Sequence, residues 1–322
     1  MNRVLLLGAS GFLGRHIQAA LARHLTVRSP TRRECDLVGI DLPELTSLLA
    51  RERPDAVVVA AGRIVGSGYD FVRAHVATTA KLIEAMAVAV PDARLVRLGS
   101  AAEYGIVPHG VVIGEELPAV PVGEYGLSHL AATRLAELAG AAGRVDTTVL
   151  RVFNPVGPGM PPGNLLRRVA ALIRAAETDG GDVAVGLHDT FRDYVDVRDV
   201  AAAVLAVLRC DRLTERVFNV GSGRAVATRD IVRSLAEVAG FTGRIRDGEF
   251  APDAARSSAV PWLCAGIERS REVLGWTPRH ELTESLTTLW RASDPPAPQP
   301  ADPAEPVPPG CAAIRVPAAS IR

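Results

Sequence analysis

Three glycines near the start of the chain are spaced for binding a dinucleotide. Gly8, Gly11 and Gly14 follow the apolar run 4–7 and precede a stretch with helical periodicity. A glycine turn between a strand and a helix lets backbone N–H groups face a pyrophosphate at the helix N-terminus. A turn that needs glycine only for its backbone conformation would look the same, but this one lies within a strand–helix–strand unit. The predicted cofactor contacts at this turn are Gly8, Ser10, Gly11, Phe12, Leu13 and Gly14.

The end of the second predicted strand indicates which dinucleotide to expect. In NAD-specific proteins of this architecture, an acidic residue there binds the ribose hydroxyls. This chain instead has Arg28, Arg32 and Arg33, and an arginine nearby accommodates the 2′-phosphate of NADP. We predict NADP as the cofactor, and NAD as the alternative if these arginines form only a solvated loop. Arg32 and Asp36 are predicted contacts, with Asp36 and Leu37 flanking the adenine.

Short apolar runs alternate with helical stretches over the first half of the chain. The runs 4–7, 56–60, 94–98 and 147–150 are rich in Val and Leu, as is typical of strands buried on both faces. Apolar residues recur at three- and four-residue intervals in 13–25, 42–51, 71–90 and 125–142, as in helices. This alternation predicts an α/β fold, a Rossmann doubly wound parallel sheet.

The composition changes twice along the rest of the chain. Residues 155–163 are dense in Pro and Gly, which indicates that the chain leaves the sheet to build a second region. We predict a dinucleotide-binding Rossmann domain at 1–154, continued at about 188–215. A smaller C-terminal α/β substrate-binding domain is predicted at 155–187 and 216–292, including a strand at 217–220. The Pro- and Ala-rich segment 293–322 is predicted to be a disordered tail.

Charge and cysteine content exclude several classes of protein. The 36 basic and 36 acidic residues cancel, so no long-range field attracts nucleic acid or an anionic membrane. The four cysteines lack metal-ligand spacing, so we expect reduced thiols and no metal. No apolar run approaches the roughly 20 residues that span a bilayer, and no signal peptide is evident. We therefore expect a cytoplasmic protein with no nucleic-acid or membrane partner.

Further motifs are spread along residues 1 to 290. They are Ala60-Ala61-Gly62, Ser100 four residues before Tyr104-Gly105, Tyr125, Leu150-Arg-Val-Phe-Asn154-Pro-Val-Gly157-Pro, Arg192-Asp-Tyr-Val and Phe218-Asn-Val-Gly-Ser-Gly223. With the glycine turn, they resemble the extended short-chain dehydrogenase/reductase family, the NAD(P)-dependent epimerases and dehydratases that modify nucleotide sugars. The resemblance implies that Ala60, Ala61 and Gly62, which the family carries after its fourth strand, contact the cofactor.

The resemblance also implies the catalytic groups. Tyr125 would exchange a proton with a carbonyl or carbinol oxygen while the nicotinamide exchanges hydride, and Ser100 would hydrogen-bond that oxygen. The family places a lysine one helical turn after the tyrosine, where it lowers the pKa of the tyrosine and holds the nicotinamide ribose. This chain has His129 there, on the same helix face, and Tyr125 and His129 are also predicted cofactor contacts. The charge of a histidine is conditional near neutral pH. Two hypotheses stay open, a working variant and a silent site that only binds cofactor. His75 occupies a position where the family usually has Asn. It is either part of a local hydrogen-bond network formed around histidines or a surface side chain.

Many members of the family act on nucleotide-activated sugars, and this chain has residues matching their substrate contacts. These are Asn154, Asn164, Leu165, Arg192 and, in rough alignment, Arg256. Arginine suits a pyrophosphate because its guanidinium makes bidentate, charge-assisted hydrogen bonds. Arg192 has an alternative role as the ion-pair partner of Asp193 or Asp196. Segment 253–261 lacks the family's usual Arg-x-Gly-Asp pattern, so a non-sugar ketone is an alternative substrate.

The residues after Ser100 separate the reactions of the family. Its 4,6-dehydratases have an Asp-Glu acid/base pair where this chain has Ala101-Ala102, and alanine cannot transfer a proton. Members that epimerise beside a ketone have a cysteine at the position of Ala102. A ketoreductase or a 4-epimerase remains, and the basic end of the second strand favours NADPH-dependent reduction. The resemblance further implies a homodimer through helices 71–90 and 125–142. Burial against the chain's own sheet would equally explain the apolar faces of these helices.

Overall fold

The computed structural model describes residues 1–179, 181–248 and 260–293. Arg256 and residues 294–322 of the predicted tail lie outside this range. The strands are β1 (Arg3–Leu7), β2 (Thr26–Arg28), β3 (Ala56–Val59), β4 (Arg94–Ser100), β5 (Asp146–Val152), β6 (Asn154–Val156), β7 (Val183–Val185), β8 (Phe191–Asp196), β9 (Val217–Val220), β10 (Ala225–Ala227) and β11 (Ile245–Asp247).

Six of these strands form one parallel sheet in the order β2-β1-β3-β4-β5-β9. All four residues of β3 are buried, as are the last four of β1, because helices cover both faces of the sheet. The predicted doubly wound Rossmann fold is confirmed. The strand before Ala60 is the third along this chain rather than the fourth, because residues 31–40 form turns instead of a strand.

The helices of the described residues pack partly on this sheet and partly away from it. They are α1 (Phe12–Leu21), α2 (Leu42–Glu52), α3 (Gly68–Phe71), α4 (Thr78–Ala89), α5 (Glu124–Ala141), α6 (Leu165–Asp179), α7 (Val197–Arg209) and α8 (Thr228–Ala239), followed by Glu268–Leu274 and Leu282–Arg291. A π-helical segment, Val72–Ala77, joins α3 to α4. Helices α1 and α7 pack together on one face, and α2, α4 and α5 cover the other.

A second, smaller region contains a three-stranded sheet, β10-β8-β6, and a two-stranded sheet, β11-β7. Its core is formed by α6, α8 and the helix Leu282–Arg291. Two predicted assignments are wrong. Strand β9 belongs to the Rossmann sheet, because its fully buried residues extend the parallel pairing of β5. Strand β8, predicted as Rossmann, pairs with β6 and β10 instead.

Two kinds of feature are absent from the described residues. In the part of the chain that the structure covers, no helix is long and apolar enough to cross a membrane. Within the same residues, no group of three or more His, Cys, Asp or Glu side chains is arranged to hold a metal ion. Ser293, the first residue of the predicted tail, is buried and donates a hydrogen bond to the Leu289 carbonyl oxygen.

Candidate active site

The predicted cofactor and catalytic residues meet at one edge of the Rossmann sheet. Gly8 follows β1, Ala60 follows β3, and Ser100 is the last residue of β4. Because the three strands are parallel, their carboxyl ends lie on the same side. Ligands of open α/β sheets bind in the crevice at this side. The sheet therefore brings together groups that are far apart in sequence.

The glycine turn is tightly packed against its own backbone. Gly8 has φ of 88°, and a Cβ there would lie 2.5 Å from the Ala61 nitrogen. A Cβ on Gly14 would collide with the Gly8 carbonyl oxygen. Gly11 precedes α1 and makes no side-chain capping bond, so the helix offers its first N–H groups to a ligand. This geometry fits a pyrophosphate at the start of α1. Of the remaining predicted contacts, Ser10 and Gly62 are exposed, and Phe12, Leu13, Ala60 and Ala61 are half-buried.

The basic segment after β2 contains three exposed arginines, one of which is held in a short ion pair. Arg28 forms an ion pair with Glu34 at 2.6 Å. The Arg32 side chain is 83% exposed and lies 3.7 Å from Asp36, and Arg33 is also exposed. Arg32 and Arg33 are thus available to a 2′-phosphate. Leu37, predicted beside the adenine, is buried in the core under α2 and α4.

Sequence reasoning missed a polar atom in this segment. The Ser29 hydroxyl oxygen directly follows β2 and is buried without a hydrogen-bond partner among the described residues. Ser29 lies in the region after the second strand in which NAD-specific proteins carry their acidic residue. A buried hydroxyl without a partner is unfavourable, and a ribose hydroxyl or phosphate oxygen would satisfy it.

Ser100 and Tyr125 lie near each other in the structure. Tyr125 is in the first turn of α5, and its hydroxyl is close enough to the Ser100 side chain for that side chain to affect its pKa. Burial raises the pKa of Tyr125 above its usual value of 10, and the Ser100 side chain and the charge of Arg97 offset only part of that rise. Tyr125 is therefore a phenol at neutral pH. In this state it can donate a proton but cannot accept one.

A buried carboxylate that the sequence analysis did not single out holds Ser100 in place. The Glu103 Oε1 accepts a hydrogen bond from the Ser100 N–H at 3.0 Å, and its Oε2 is paired with Arg151 at 2.8 Å. Glu103 is fully buried, and both of its oxygens are engaged. It is therefore a structural anion and not a general acid. Ala101 and Ala102, which separate it from Ser100, supply no proton donor either.

His75 is part of an internal network and not a surface side chain. Its Nε2 accepts a hydrogen bond from the Arg63 backbone N–H at 3.1 Å, so its proton lies on Nδ1 and is donated to the Ser128 Oγ at 2.9 Å. Ser128 in turn donates to the Tyr125 carbonyl oxygen at 2.8 Å. Burial, aided by the charge of Arg97, lowers the pKa of His75 to about 4. A neutral His75 thus anchors the start of α5.

His129 is buried and neutral. Its Nδ1 lies 3.2 Å from the Arg97 Nη2, and its ring centroid lies 4.6 Å from that of Tyr125. Burial, the charge of Arg97 and the proximity of His75 lower the pKa of His129 well below 6.5. The expectation that its charge is conditional near neutral pH is wrong for this reason. Arg97 is a third residue that sequence reasoning missed, although an arginine between apolar residues of a buried strand is a visible signal.

The predicted substrate residues lie in the second region and at its border. Asn154 is in β6 and donates to the Asp193 carbonyl oxygen at 3.0 Å. Asn164 accepts a hydrogen bond from the Leu166 N–H and so caps α6, which begins at Leu165. Arg192 is buried in β8 and donates to the Phe191 carbonyl oxygen at 2.8 Å. The side chains of its alternative partners are engaged elsewhere, Asp193 by Ser222 and Asp196 by Arg198.

A parallel Rossmann sheet with a serine–tyrosine pair beside a glycine turn defines a dinucleotide-dependent oxidoreductase of the short-chain type. The model of the NAD dependent epimerase/dehydratase family matches residues 4–221, which is more than half of the chain. The protein therefore belongs to the NAD-dependent epimerase/dehydratase family, and it is an NAD(P)-dependent enzyme.

Curated relatives and solved structures agree with this assignment. The chain is 40% identical over 305 residues to the dTDP-6-deoxy-L-talose 4-dehydrogenase (NAD(P)(+)) of Kitasatospora kifunensis, covering 90% of this chain and 95% of that protein. It is 32% identical over 318 residues to the UDP-glucose 4-epimerase of Azospirillum brasilense, covering 88% and 89%. The structure of RMD from Pseudomonas aeruginosa complexed with NADPH has a TM-score of 0.80 at 26% identity, covering 91% of this chain and 99% of that one.

Proposed function

We propose that this protein reduces a ketone on a nucleotide-activated 6-deoxyhexose with NADPH, at C4 of the sugar. The observation that carries the proposal is the Ser100–Tyr125 pair, with a protonated Tyr125, beside the glycine turn. The similarity to a dTDP-6-deoxy-L-talose 4-dehydrogenase over nine-tenths of the chain supports the sugar, the nucleotide and the carbon. The alanines at 101 and 102 argue against dehydration, because no acid/base pair is present there.

The residues of the chain supply positioning and a proton. A nicotinamide bound at the sheet edge would supply the hydride to the carbonyl carbon. Tyr125 donates its phenolic proton to the carbonyl oxygen, and Ser100 hydrogen-bonds that same oxygen. The raised pKa of Tyr125 favours this direction, because a phenol is the form required for reduction. The reverse reaction requires a tyrosinate, which burial disfavours.

The cofactor preference follows from the segment after β2. Arg32 and Arg33 are exposed cations where NAD-specific proteins have an acid. We expect NADPH to bind more tightly than NADH, and Arg32→Glu/Arg33→Glu to reverse that order. Arg28→Ala is the matched control, because Arg28 is paired with Glu34 and is expected to contribute less.

A 4-epimerase is the second candidate. The similarity to a UDP-glucose 4-epimerase favours it, and an enzyme of that type would need the same serine–tyrosine pair. The two candidates differ in net redox change. A reductase consumes NADPH in proportion to product, whereas an epimerase returns its cofactor to the starting state after each turnover.

The decisive experiment follows NADPH consumption with dTDP-4-keto-6-deoxyhexoses and UDP-glucose as substrates. We expect consumption with the keto sugars and none with UDP-glucose. Tyr125→Phe should lower the rate by about 10²–10⁴-fold with a much smaller effect on NADPH affinity, because it removes the proton donor and leaves the glycine turn intact. Tyr69→Phe is the control, since Tyr69 is 70% exposed and lies outside the site. NADPH binding without turnover of any substrate would refute the reductase and leave a cofactor-binding role.

We also propose that the protein is a homodimer that pairs α4 and α5 with a second copy. Both helices bury one face against the sheet, yet Leu127 and Leu138 of α5 are 58% and 68% exposed. Val72 and Val88 are exposed on the adjoining helical segment 72–89. Leu127→Glu/Leu138→Glu is expected to convert a dimer into a monomer in analytical ultracentrifugation. A monomeric wild-type protein would contradict the proposal.

A further inference from the structure

The site has no lysine at position 129, but it has a buried cation in another place. Arg97 lies in the middle of β4, and its side chain is almost wholly buried. The Arg97 Nε donates to the Thr79 Oγ1 at 3.2 Å, and the Arg97 Nη2 donates to the His129 Nδ1 at 3.2 Å. Both acceptors are neutral. Arginine keeps its proton in proteins, so the full charge is present under the catalytic helix.

Nothing in the described part of the chain neutralises this charge at hydrogen-bonding distance. The Arg97 Nη1 is buried and has no hydrogen-bond partner there, and Arg97 forms no ion pair with a described residue. Two other arginines in the same sheet differ, since Arg94 is paired with Asp146 and Arg151 with Glu103. The positive potential of Arg97 therefore reaches the groups packed around it.

Those groups are the catalytic ones. The His129 ring contacts Arg97 through its Nδ1 and lies with its centroid 4.6 Å from that of Tyr125 and 4.1 Å from that of His75. The charged or titratable groups whose fields act on Tyr125 are Arg97, which lowers its pKa, and Glu103, which raises it. His75 and His129, the remaining titratable neighbours, are both neutral near pH 7.

We propose that Arg97 is a positioning residue for the hydride-transfer reaction. From β4, it supplies the fixed positive charge beside Tyr125 that the family's lysine supplies from α5. It also holds His129 as the neutral tautomer protonated at Nε2. An arginine only donates hydrogen bonds, so an Nδ1 that faces it must be the acceptor, and the single ring proton is left on Nε2. That N–H then remains as a donor on a ring whose centroid lies 4.6 Å from that of Tyr125. The inference rests on the proposed function for its kinetic consequence, but not for its effect on His129.

The first test is independent of turnover. Nitrogen-15 NMR of labelled histidines, with the His129 signals assigned from His129→Gln, is recorded from about pH 5.5 to 9. We expect wild-type His129 to stay neutral with its proton on Nε2. Arg97→Met removes the donor that faces Nδ1, so the ring proton of His129 should no longer be confined to Nε2, and the nitrogen-15 shifts of its two ring nitrogens should change. Unchanged His129 nitrogen-15 shifts in Arg97→Met would overturn the inference.

The second test is the pH profile of the oxidation direction, which requires the Tyr125 phenolate. Removing a cation from its vicinity should move the ascending limb of the profile up by about one pH unit or more, so that oxidation near neutral pH falls by at least about tenfold. Reduction, which uses the phenol, should fall less. Arg97→Lys should keep the wild-type limb, and Arg97→Met/His129→Lys should restore it by returning the cation from α5.

Thr79→Val is the matched control. It removes the other hydrogen bond of Arg97 but leaves the charge, so the limb should stay at its wild-type pH while thermal stability falls. If Arg97→Met does not fold, Arg97→Lys and Arg97→Met/His129→Lys still test the proposal. A double variant whose pH profile does not return to the wild-type limb would refute the charge role. If wild-type protein turns over no nucleotide sugar, the proposed function fails, and the histidine spectra alone support or overturn the inference.

Discussion

Lysine at position 129 would place a second cation against Arg97, so we expect His129→Lys to destabilise the fold even though it restores the family pattern. The Arg97 Nη2 lies 3.2 Å from the His129 Nδ1. Two unit charges about 4 Å apart repel by about 4 kcal/mol at an effective dielectric constant of about 20. Deprotonating the lysine at neutral pH instead would cost about 1.4 kcal/mol per unit below its usual pKa near 10.4. Either route gives a loss of about 4–5 kcal/mol.

A double-mutant cycle measures this repulsion directly. The free energy of unfolding in urea is compared for the wild type, His129→Lys, Arg97→Met and the double variant. Because the double variant contains one cation instead of two, it should be more stable than the sum of the single effects predicts, by about 4 kcal/mol. Additive effects, or a His129→Lys protein as stable as the wild type, would show that Arg97 carries no effective charge at this position.

Three further predictions concern the surroundings of the site. Glu103→Gln leaves Arg151 as a buried cation without its anion, so the free energy of unfolding in urea should fall by about 3–5 kcal/mol. An unchanged urea midpoint would contradict this prediction. Burial holds the pKa of His75 at about 4 and that of His129 well below 6.5, so the unfolded chain binds protons that the folded chain does not as pH falls below about 6.5. The free energy of unfolding should therefore decrease from pH 6.5 towards pH 4, with His75 accounting for up to about 3 kcal/mol of the loss. His75→Gln should weaken this pH dependence, which is measured from urea midpoints across the pH range. Gly14→Ala drives a methyl group into the backbone of the glycine turn, so both thermal stability and NADPH affinity should be lost, and an intact melting temperature would argue against the packing described.

Local signals in the sequence were sufficient for the nucleotide half of the site. The glycine turn is encoded within seven residues, and its strand and helix follow from short periodic patterns. The spacing of Tyr125 and His129 places both on one face of a helix, whatever the rest of the chain does. The absence of a lysine at position 129 and the two alanines after Ser100 can likewise be identified from the sequence alone. These features depend on neighbours along the chain, so the sequence by itself determines them.

Only the tertiary structure decided the electrostatics of the catalytic half. Arg97 and His129 are 32 residues apart and meet only because α5 packs on the sheet beside β4. The contact between Glu103 and Arg151 depends in the same way on the pairing of β4 with β5. The pairing of β9 with β5, and not with a strand of the smaller region, is also a long-range choice. Whether a histidine is charged depends on its burial and on the charges packed around it, and neither quantity exists until the chain has folded.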